Sequence, residues 1–207
     1  MIKVTGIYTN WRRRENLWEI LKAAKAQSVH IDLWLVDNAA GTEHELKVSG
    51  VQRFAHDNSE MCWQRWRYAK IARTPYVYVM DDDLIFSTPI EIEKCVAWMD
   101  KYPEIDCIGY TGVKYQGSYF GSPHYMSVNQ LTEVDIVKGR FMFIRTERLK
   151  DLDMTPDLTC DDIKVSGHLK NKVLLPLSFA NLKEGAEAVF LQKGQKEKRE
   201  HAAKRYL

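Results

Sequence analysis

Strand-like and helix-like stretches alternate through the first half of the chain, and this alternation limits the fold more than any other feature. "IKVTGIY" (2–8), "IDLWLVD" (31–37), "VQRFA" (51–55) and "YVYVM" (76–80) are short runs rich in β-branched and aromatic residues. Between the first two, Leu17, Ile20, Leu21 and Ala24 recur at i, i+3, i+4, i+7, the spacing of one helix face. "SEMCWQRWRYAKIA" (59–72) is predicted as a second helix, with Cys62, Trp66 and Ala69 on one side. A third is predicted to start at Thr88 as N-cap, with Pro89 at the first position and Glu91 at the third completing a capping box. Its buried stripe is Ile92, Cys95, Val96 and Met99. Strands separated by helices point to an α/β chain with three layers, Rossmann-like, around a mostly parallel central sheet.

The second half is less regular. "GYTGVKYQGSYFGSPHY" (109–125) is rich in Gly, Tyr and Ser and is expected to be a loop or an irregular hairpin. "VDIVKGRFMFIRTERL" (134–149) resumes as a strand and then turns, "TCDDIKVSGHL" (159–169) opens a helix with two acids at its positive end, and "KVLLPLSF" is another strand. With no repeat and no low-complexity linker, the expectation is one domain over 1–207. It divides into a nucleotide-binding half (1–110), an acceptor-binding half (111–190) and a basic tail (191–207).

No apolar run approaches the roughly 18 residues that cross a bilayer, and "MIKVTGIYTN" lacks a signal-peptide core, so the expectation is a cytoplasmic protein without a membrane partner. Cys62, Cys95, Cys107 and Cys160 form no CxxC pair and read as reduced thiols. The net charge is +2, yet residues 191–207 alone carry six basic and two acidic side chains. A basic tail on a slightly acidic body hints at an anionic partner; a solvated final helix explains it equally well.

Against this background "YVYVMDDDLIFSTP" (76–89) stands out. Ligands of parallel α/β sheets bind at the carboxyl ends of strands, where Asp81, Asp82 and Asp83 fall. Side-chain alternation would put Asp81 and Asp83 on one side and Asp82 on the other. Two carboxylates on one side suit Mn²⁺ or Mg²⁺, hard ions that keep positions open for phosphate oxygens. A solvated acidic turn is the simpler alternative.

An apolar strand, then D-x-D, then a helix a few residues on resembles a GT-A glycosyltransferase. "VMDDDLIFSTP…AWMDKYPEIDCIGY" followed about 80 residues later by "TCDDIKVSGHL" resembles the exostosin-type enzymes, glycosyltransferase family 64, with Asp161 where they carry Glu. The resemblance implies a three-layer GT-A fold and a metal-dependent transfer from a nucleoside-diphosphate sugar, most often a UDP-sugar, to an acceptor hydroxyl with retention. It implies that Asp83, aided by Asp81, holds the metal and that Asp82 contacts the ribose or donor sugar. Asp162, beside Asp161, would face the reacting carbon or the acceptor. Thr9, Asn10 and Arg13 after the first strand, and Asp37 and Asn38 after the second, would recognise the nucleoside. Asn58 and Arg65 match an Asn…Arg pair, Gly139 and Arg140 would line the sugar pocket, and Arg199 in the tail, with Lys196 and Lys198, would cover the diphosphate. His201 is a possible metal ligand or a surface histidine.

The residues alone leave stereochemistry open, since an inverting enzyme would use Asp162 as general base. A nucleotidyltransferase is disfavoured because "YTNWRRRE" lacks the glycines that cradle a triphosphate. "NWRRRE", "WQRWRY" and the tail allow a nucleic-acid-binding protein, or a transferase whose acceptor is a modified DNA base; glycan and protein hydroxyls are the other acceptor classes. Tyr115, Tyr119, Phe120 and Tyr125 are candidates for acceptor contact, whereas Trp63 and Trp66 read as core.

Overall fold

The computed structural model describes residues 4–158, 160–182 and 194–207. Residues 2 and 3 of the expected first strand, Thr159 of the expected fourth helix and 183–193 of the expected acceptor half and tail lie outside them. The first half runs as strand β1 (Val4–Asn10), helix α1 (Arg14–Lys25) and strands β2 (Ile31–Asp37) and β3 (Gln52–Ala55). Helix α2 (Gln64–Ile71), β4 (Tyr76–Met80), β5 (Leu84–Phe86) and α3 (Glu91–Lys101) follow. Short strands come next: β6 (Cys107–Gly109), β7 (Gly112–Val113), β8 (His124–Tyr125), β9 (Thr132–Glu133) and β10 (Ile136–Val137). The chain then forms β11 (Phe141–Arg145), α4 (Asp161–His168), β12 (Lys172–Leu174), β13 (Phe179–Asn181) and α5 (Gln195–Tyr206).

Eight strands form the central sheet in the order β3-β2-β1-β4-β11-β6-β12-β9. The first four are mutually parallel, as the alternation predicts. β11 enters antiparallel between β4 and β6, and β12 runs parallel to β6. Tyr76, Tyr78 and Met80 of β4 join the apolar stripes of α1 and α3 on one face, while Val77 and Val79 join Trp66 and Ala69 of α2 and Val165 of α4 on the other. Period-2 alternation along a strand buried on both sides thus builds two cores at once. Trp63 and Trp66 are fully buried, in the core as expected.

Several local expectations change. The second helix starts at Gln64, after a 3-10 turn (Met61–Trp63), because Asn58 (φ 63°) and Met61 (φ 48°) take left-handed backbone that a continuous helix does not allow. Cys62 therefore sits outside the helix. The third helix starts at Glu91 rather than Pro89. The Thr88 hydroxyl bonds the Glu91 carboxylate instead of a backbone N–H, and Glu91 also accepts the Ser178 N–H (3.0 Å). The cap comes from Gln27, whose Oε1 accepts the Ile92 N–H (3.1 Å) while its Nε2 donates to the Thr88 carbonyl (2.8 Å). The expected strand over 134–149 divides at Lys138–Arg140 into β10 and β11, and "KVLLPLSF" divides between β12 and β13, which pairs with β5. The 109–125 loop holds the short antiparallel pair of β7 and β8.

α5 is docked. Ala202 and Ala203 are buried beside Cys160, Ile163 and Tyr119. At Gly167 of α4 an added Cβ would lie 2.9 Å from the Cβ of Tyr206, so glycine lets the two helices approach. Gly167→Val is expected to pry α5 loose at a cost of roughly 1–3 kcal/mol. Trypsin should then cut within 195–206 much faster than in wild type, and an unchanged cleavage rate would show that the contact is dispensable.

Candidate functional site

The chain leaves β1 outward to β2 and β3, then returns to β4 on the other side, so a crevice opens at the carboxyl ends of β1 and β4. The three aspartates stand there, but β4 ends at Met80 and they lie beyond it, so strand alternation no longer orients them. Asp81 turns to Arg65, whose Nη1 donates at 2.6 Å. Asp82 and Asp83 instead share Arg13, at 2.7 and 3.7 Å. Asp83 also meets Arg140 at 3.3 Å, making it the most loosely held of the three.

Arg65 joins the two acidic motifs. It is 2 % exposed, and its Nη2 donates to Asp161 Oδ2 at 2.8 Å while Nη1 holds Asp81. The same Asp161 oxygen accepts the indole N–H of Trp66 (2.7 Å) and Arg65 Nε (3.2 Å). Asp161 is thereby spent on holding the arginine. Asp162, one residue on, accepts Arg199 Nη2 (2.8 Å) and the Gly139 N–H (3.3 Å). Gly139 sits where backbone passes Arg65: an added Cβ would stand 2.6 Å from Arg65 Nη2.

Electrostatics separate these carboxylates. Burial pushes Asp81 up to about 6 and Asp82 up to about 7, only partly offset by Arg65 and Arg13 respectively. Burial acts on Asp162 too, but Arg199, the Gly139 N–H and Arg65 together outweigh it and hold it below the usual carboxylate range.

At the ends of β1 and β2, Asp37 has no exposed surface. Its Oδ1 accepts from Asn10 Nδ2 (2.7 Å) and the Ala39 N–H, its Oδ2 from the Leu46 N–H and Arg53 Nε (2.8 Å). Asp37 is saturated and anchors the segment that follows β2. Its neighbours are not: Thr9 Oγ1, Asn10 Oδ1 and Asn38 Oδ1 are buried and meet no partner among the described residues. Asn38 Nδ2 is held by Asn58 Oδ1 and the Met61 carbonyl, which fixes the amide with its oxygen unpaired. Each of these buried polar atoms near the ends of β1 and β2 costs about 1–3 kcal/mol until a partner arrives.

Arg199 packs on Tyr119, donating to its hydroxyl at 2.8 Å. Lys198 is exposed, and Lys196 lies over the exposed Phe120 ring. His201 is exposed, and among the described residues no three His, Cys, Asp or Glu side chains form a metal cluster. The sequence gave no signal for Arg53, for Asn181, which accepts Arg140 Nη2 (2.7 Å), or for Glu200, whose carboxylate clamps the Ser118 hydroxyl and the Tyr119 and Phe120 N–H groups.

The donor set fits a divalent cation of the Mg²⁺ or Mn²⁺ kind. The oxygens are hard, burial leaves Asp81 and Asp82 short of compensating positive charge, and loosely held Asp83 has ligand capacity to spare. The protein offers carboxylates for only part of a coordination shell, which is how such ions are ordinarily held beside a diphosphate.

Arg65→Met is expected to lower stability by roughly 3–5 kcal/mol, because it leaves Asp81 and Asp161 facing each other without a cation. Arg13→Met, which removes a more exposed guanidinium (18 % against 2 %), should cost clearly less in the same urea titration, and equal losses would deny Arg65 its special place.

Solved structures similar to this one share the layout. S. aureus TarS 1–349 in complex with UDP-GlcNAc matches with TM-score 0.67 at 16% identity, over 92% of this chain and 61% of that one. The mannosyltransferase PcManGT from Pyrobaculum calidifontis, in complex with GDP-Man and Mn²⁺, matches with TM-score 0.61 at 15% identity, over 84% and 55%. The chain thus spans about three fifths of the length of these structures. No curated protein matches it in sequence. At such identities the likeness shows the fold, the GT-A arrangement of an α/β chain around a mostly parallel sheet. No helix among the described residues is long and apolar enough to cross a membrane. The family model that matches is glycosyl transferase family 2, over residues 7–160, rather than the exostosin-type family that the motifs resemble. The chain belongs to glycosyl transferase family 2.

Proposed function

We propose that this chain transfers a sugar from a nucleoside-diphosphate donor to an acceptor hydroxyl with the help of Mn²⁺ or Mg²⁺, and that Asp162 is the general base of an inverting reaction. The observation that carries the reading is the Arg65 bridge: it ties Asp81, among the carboxylates that suit a metal, to Asp161, the residue just before an ionised carboxylate suited to take a proton. Retention is implied by the exostosin resemblance; the ionised Asp162 supports the inverting alternative.

Asp83 and Asp81 would hold the metal, which supplies neutralisation of the diphosphate leaving group. Arg13 and Arg140, already at the edge of the aspartates, are placed to bind phosphate oxygens. The unmet amide oxygens of Asn10 and Asn38, held by Asp37 and Asn58, would read N–H or O–H donors of the nucleoside, and the unmet Thr9 hydroxyl would add a further polar contact. Uracil and guanine both offer such N–H groups. The donors in the two compared structures, UDP-GlcNAc and GDP-Man, support this class of ligand.

The test is a thermal-shift and UDP-release panel of nucleotide sugars with and without Mn²⁺. At a donor concentration about 100 times Kd the native state gains about 2.7 kcal/mol. Asp83→Ala should lose the metal-dependent part of the shift. Asp162→Asn should keep the shift and lose transfer by about 10²–10⁴-fold. No shift with any donor in the wild type would sink the proposal.

A pH profile adds a separate check. Arg199 holds Asp162 ionised to low pH; without that guanidinium, burial is opposed only by the Gly139 N–H and Arg65, and the carboxyl rises. The acidic limb of kcat/KM should therefore move to higher pH in Arg199→Met, and a limb that stays or moves down would remove Asp162 from the base role.

A further inference from the structure

Each oxygen of Asp83 faces a guanidinium. Oδ2 lies 3.7 Å from Arg13 Nη1, and Oδ1 lies 3.3 Å from Arg140 Nη2. Both separations exceed the roughly 2.7–2.9 Å of a close charge-assisted hydrogen bond. The same two arginines bond more closely to a neighbour: Arg13 Nη1 meets Asp82 Oδ1 at 2.7 Å, and Arg140 Nη2 meets Asn181 Oδ1 at 2.7 Å. Each is thus anchored beside Asp83 and loosely paired with it. Arg65 differs. Its side chain is 2 % exposed and spans Asp81 and Asp161, whereas the side chains of Arg13 and Arg140 are 18 and 21 % exposed. Arg13 stands between β1 and α1 and Arg140 just before β11, so neither is locked inside a regular element.

A divalent cation on Asp83 must share the carboxylate with at least one of these guanidinium groups, and like charges that close repel. A diphosphate changes the balance, because its oxygens suit a guanidinium fork as a carboxylate does. We propose that Arg13 and Arg140 are exchangeable counter-ions of Asp83: they oppose metal binding to the protein alone and move to the diphosphate when the nucleotide arrives, so that metal and nucleotide load together. This control of metal loading rests on the transferase reading above. A metal that touches both carboxylate and phosphate would also couple the two ligands, but that contact makes no demand on the arginines. Only exchange requires that removing a guanidinium improve metal binding when no nucleotide is present. The coupling is reciprocal, so the metal must tighten the nucleotide by the factor by which the nucleotide tightens the metal.

The test reads Mn²⁺ binding from the loss of the free-ion electron paramagnetic resonance signal, with no transfer reaction, in buffer basic enough to keep the carboxylates ionised. Without nucleotide, Arg13→Met and Arg140→Met are each expected to bind Mn²⁺ at least about 5-fold more tightly than wild type, the lower end of an ordinary coupling between ligands. Adding Asp83→Ala to either variant should abolish the gain. Arg140→Lys keeps the charge and should bind Mn²⁺ as weakly as wild type. Calorimetry with UDP and with GDP, each with and without saturating Mn²⁺, reads the other side: the metal should tighten the bound nucleotide in wild type and do so clearly less in the two Met variants. A Mn²⁺ affinity that is unchanged or weaker in either Met variant would overturn the proposal. So would a gain that survives Asp83→Ala, or one that Arg140→Lys shows in full, since the effect would then lie elsewhere or come from lost shape. Failure of the wild type to bind Mn²⁺ even with UDP or GDP is a different result: it strikes the donor reading on which this one stands.

Discussion

A buried guanidinium holds this site together. Arg65 reaches Asp81 at the end of β4 with one nitrogen and Asp161 at the start of α4 with another, while Trp66 bonds the same Asp161 oxygen. Removing these charges from water is expensive, and only the near-ideal, multiply bonded geometry offsets it. Lysine does not substitute, because a point charge cannot serve two carboxylates in a fixed fork. Gly139 completes the arrangement by leaving room where its backbone crosses Arg65 and by donating its N–H to Asp162. One side chain thus sets the spacing between the carboxylates assigned to metal and the carboxylate assigned to the proton.

The layers deliver these groups. The parallel strands β1, β2 and β4 end at one edge, so Asn10, Asp37 and the aspartates come together although about 70 residues separate the first from the last. The antiparallel β11 then brings Arg140 and Gly139 to the same edge, since Phe141 pairs with Met80 and the Asp81 N–H bonds the Arg140 carbonyl (3.0 Å). A parallel strand in that place would have carried them to the opposite end.

Where periodicity governs, the sequence was readable. The strands β1, β2 and β4 and the stripes of α1 and α3 follow from spacing alone, because side-chain direction is set by neighbours in the chain. Where a distant partner decides, it was not. The start of α3 depends on Gln27, some 65 residues earlier, and β5 pairs with β13 about 95 residues later. The orientation of the aspartates failed for the same reason, since Arg13 and Arg65 set it rather than the pleat. Asp37 shows a finer limit: its place at the end of β2 was legible, but its saturation by Arg53, Leu46, Ala39 and Asn10 was not. The acidic motifs led to the right fold, GT-A, while the exostosin-type assignment was not confirmed, because such motifs report a kind of site that is shared across families of one fold.

The C-terminal helix belongs to the chemistry as much as the sheet does. Glu200 takes the Ser118 hydroxyl and the N–H groups of Tyr119 and Phe120, fixing that turn, while Arg199 on the same helix balances Asp162 and packs on Tyr119. Adjacent residues of one helix thus hold the 118–120 turn and set the charge of Asp162, the proposed base. Any movement of α5 on α4 must change both together. The close approach at Gly167 is consistent with that demand, because a looser contact would let the charge on Asp162 drift with the position of the loop. One helix thus couples the charge of Asp162 to the 118–120 turn, so the proposed base is ionised where that turn is formed.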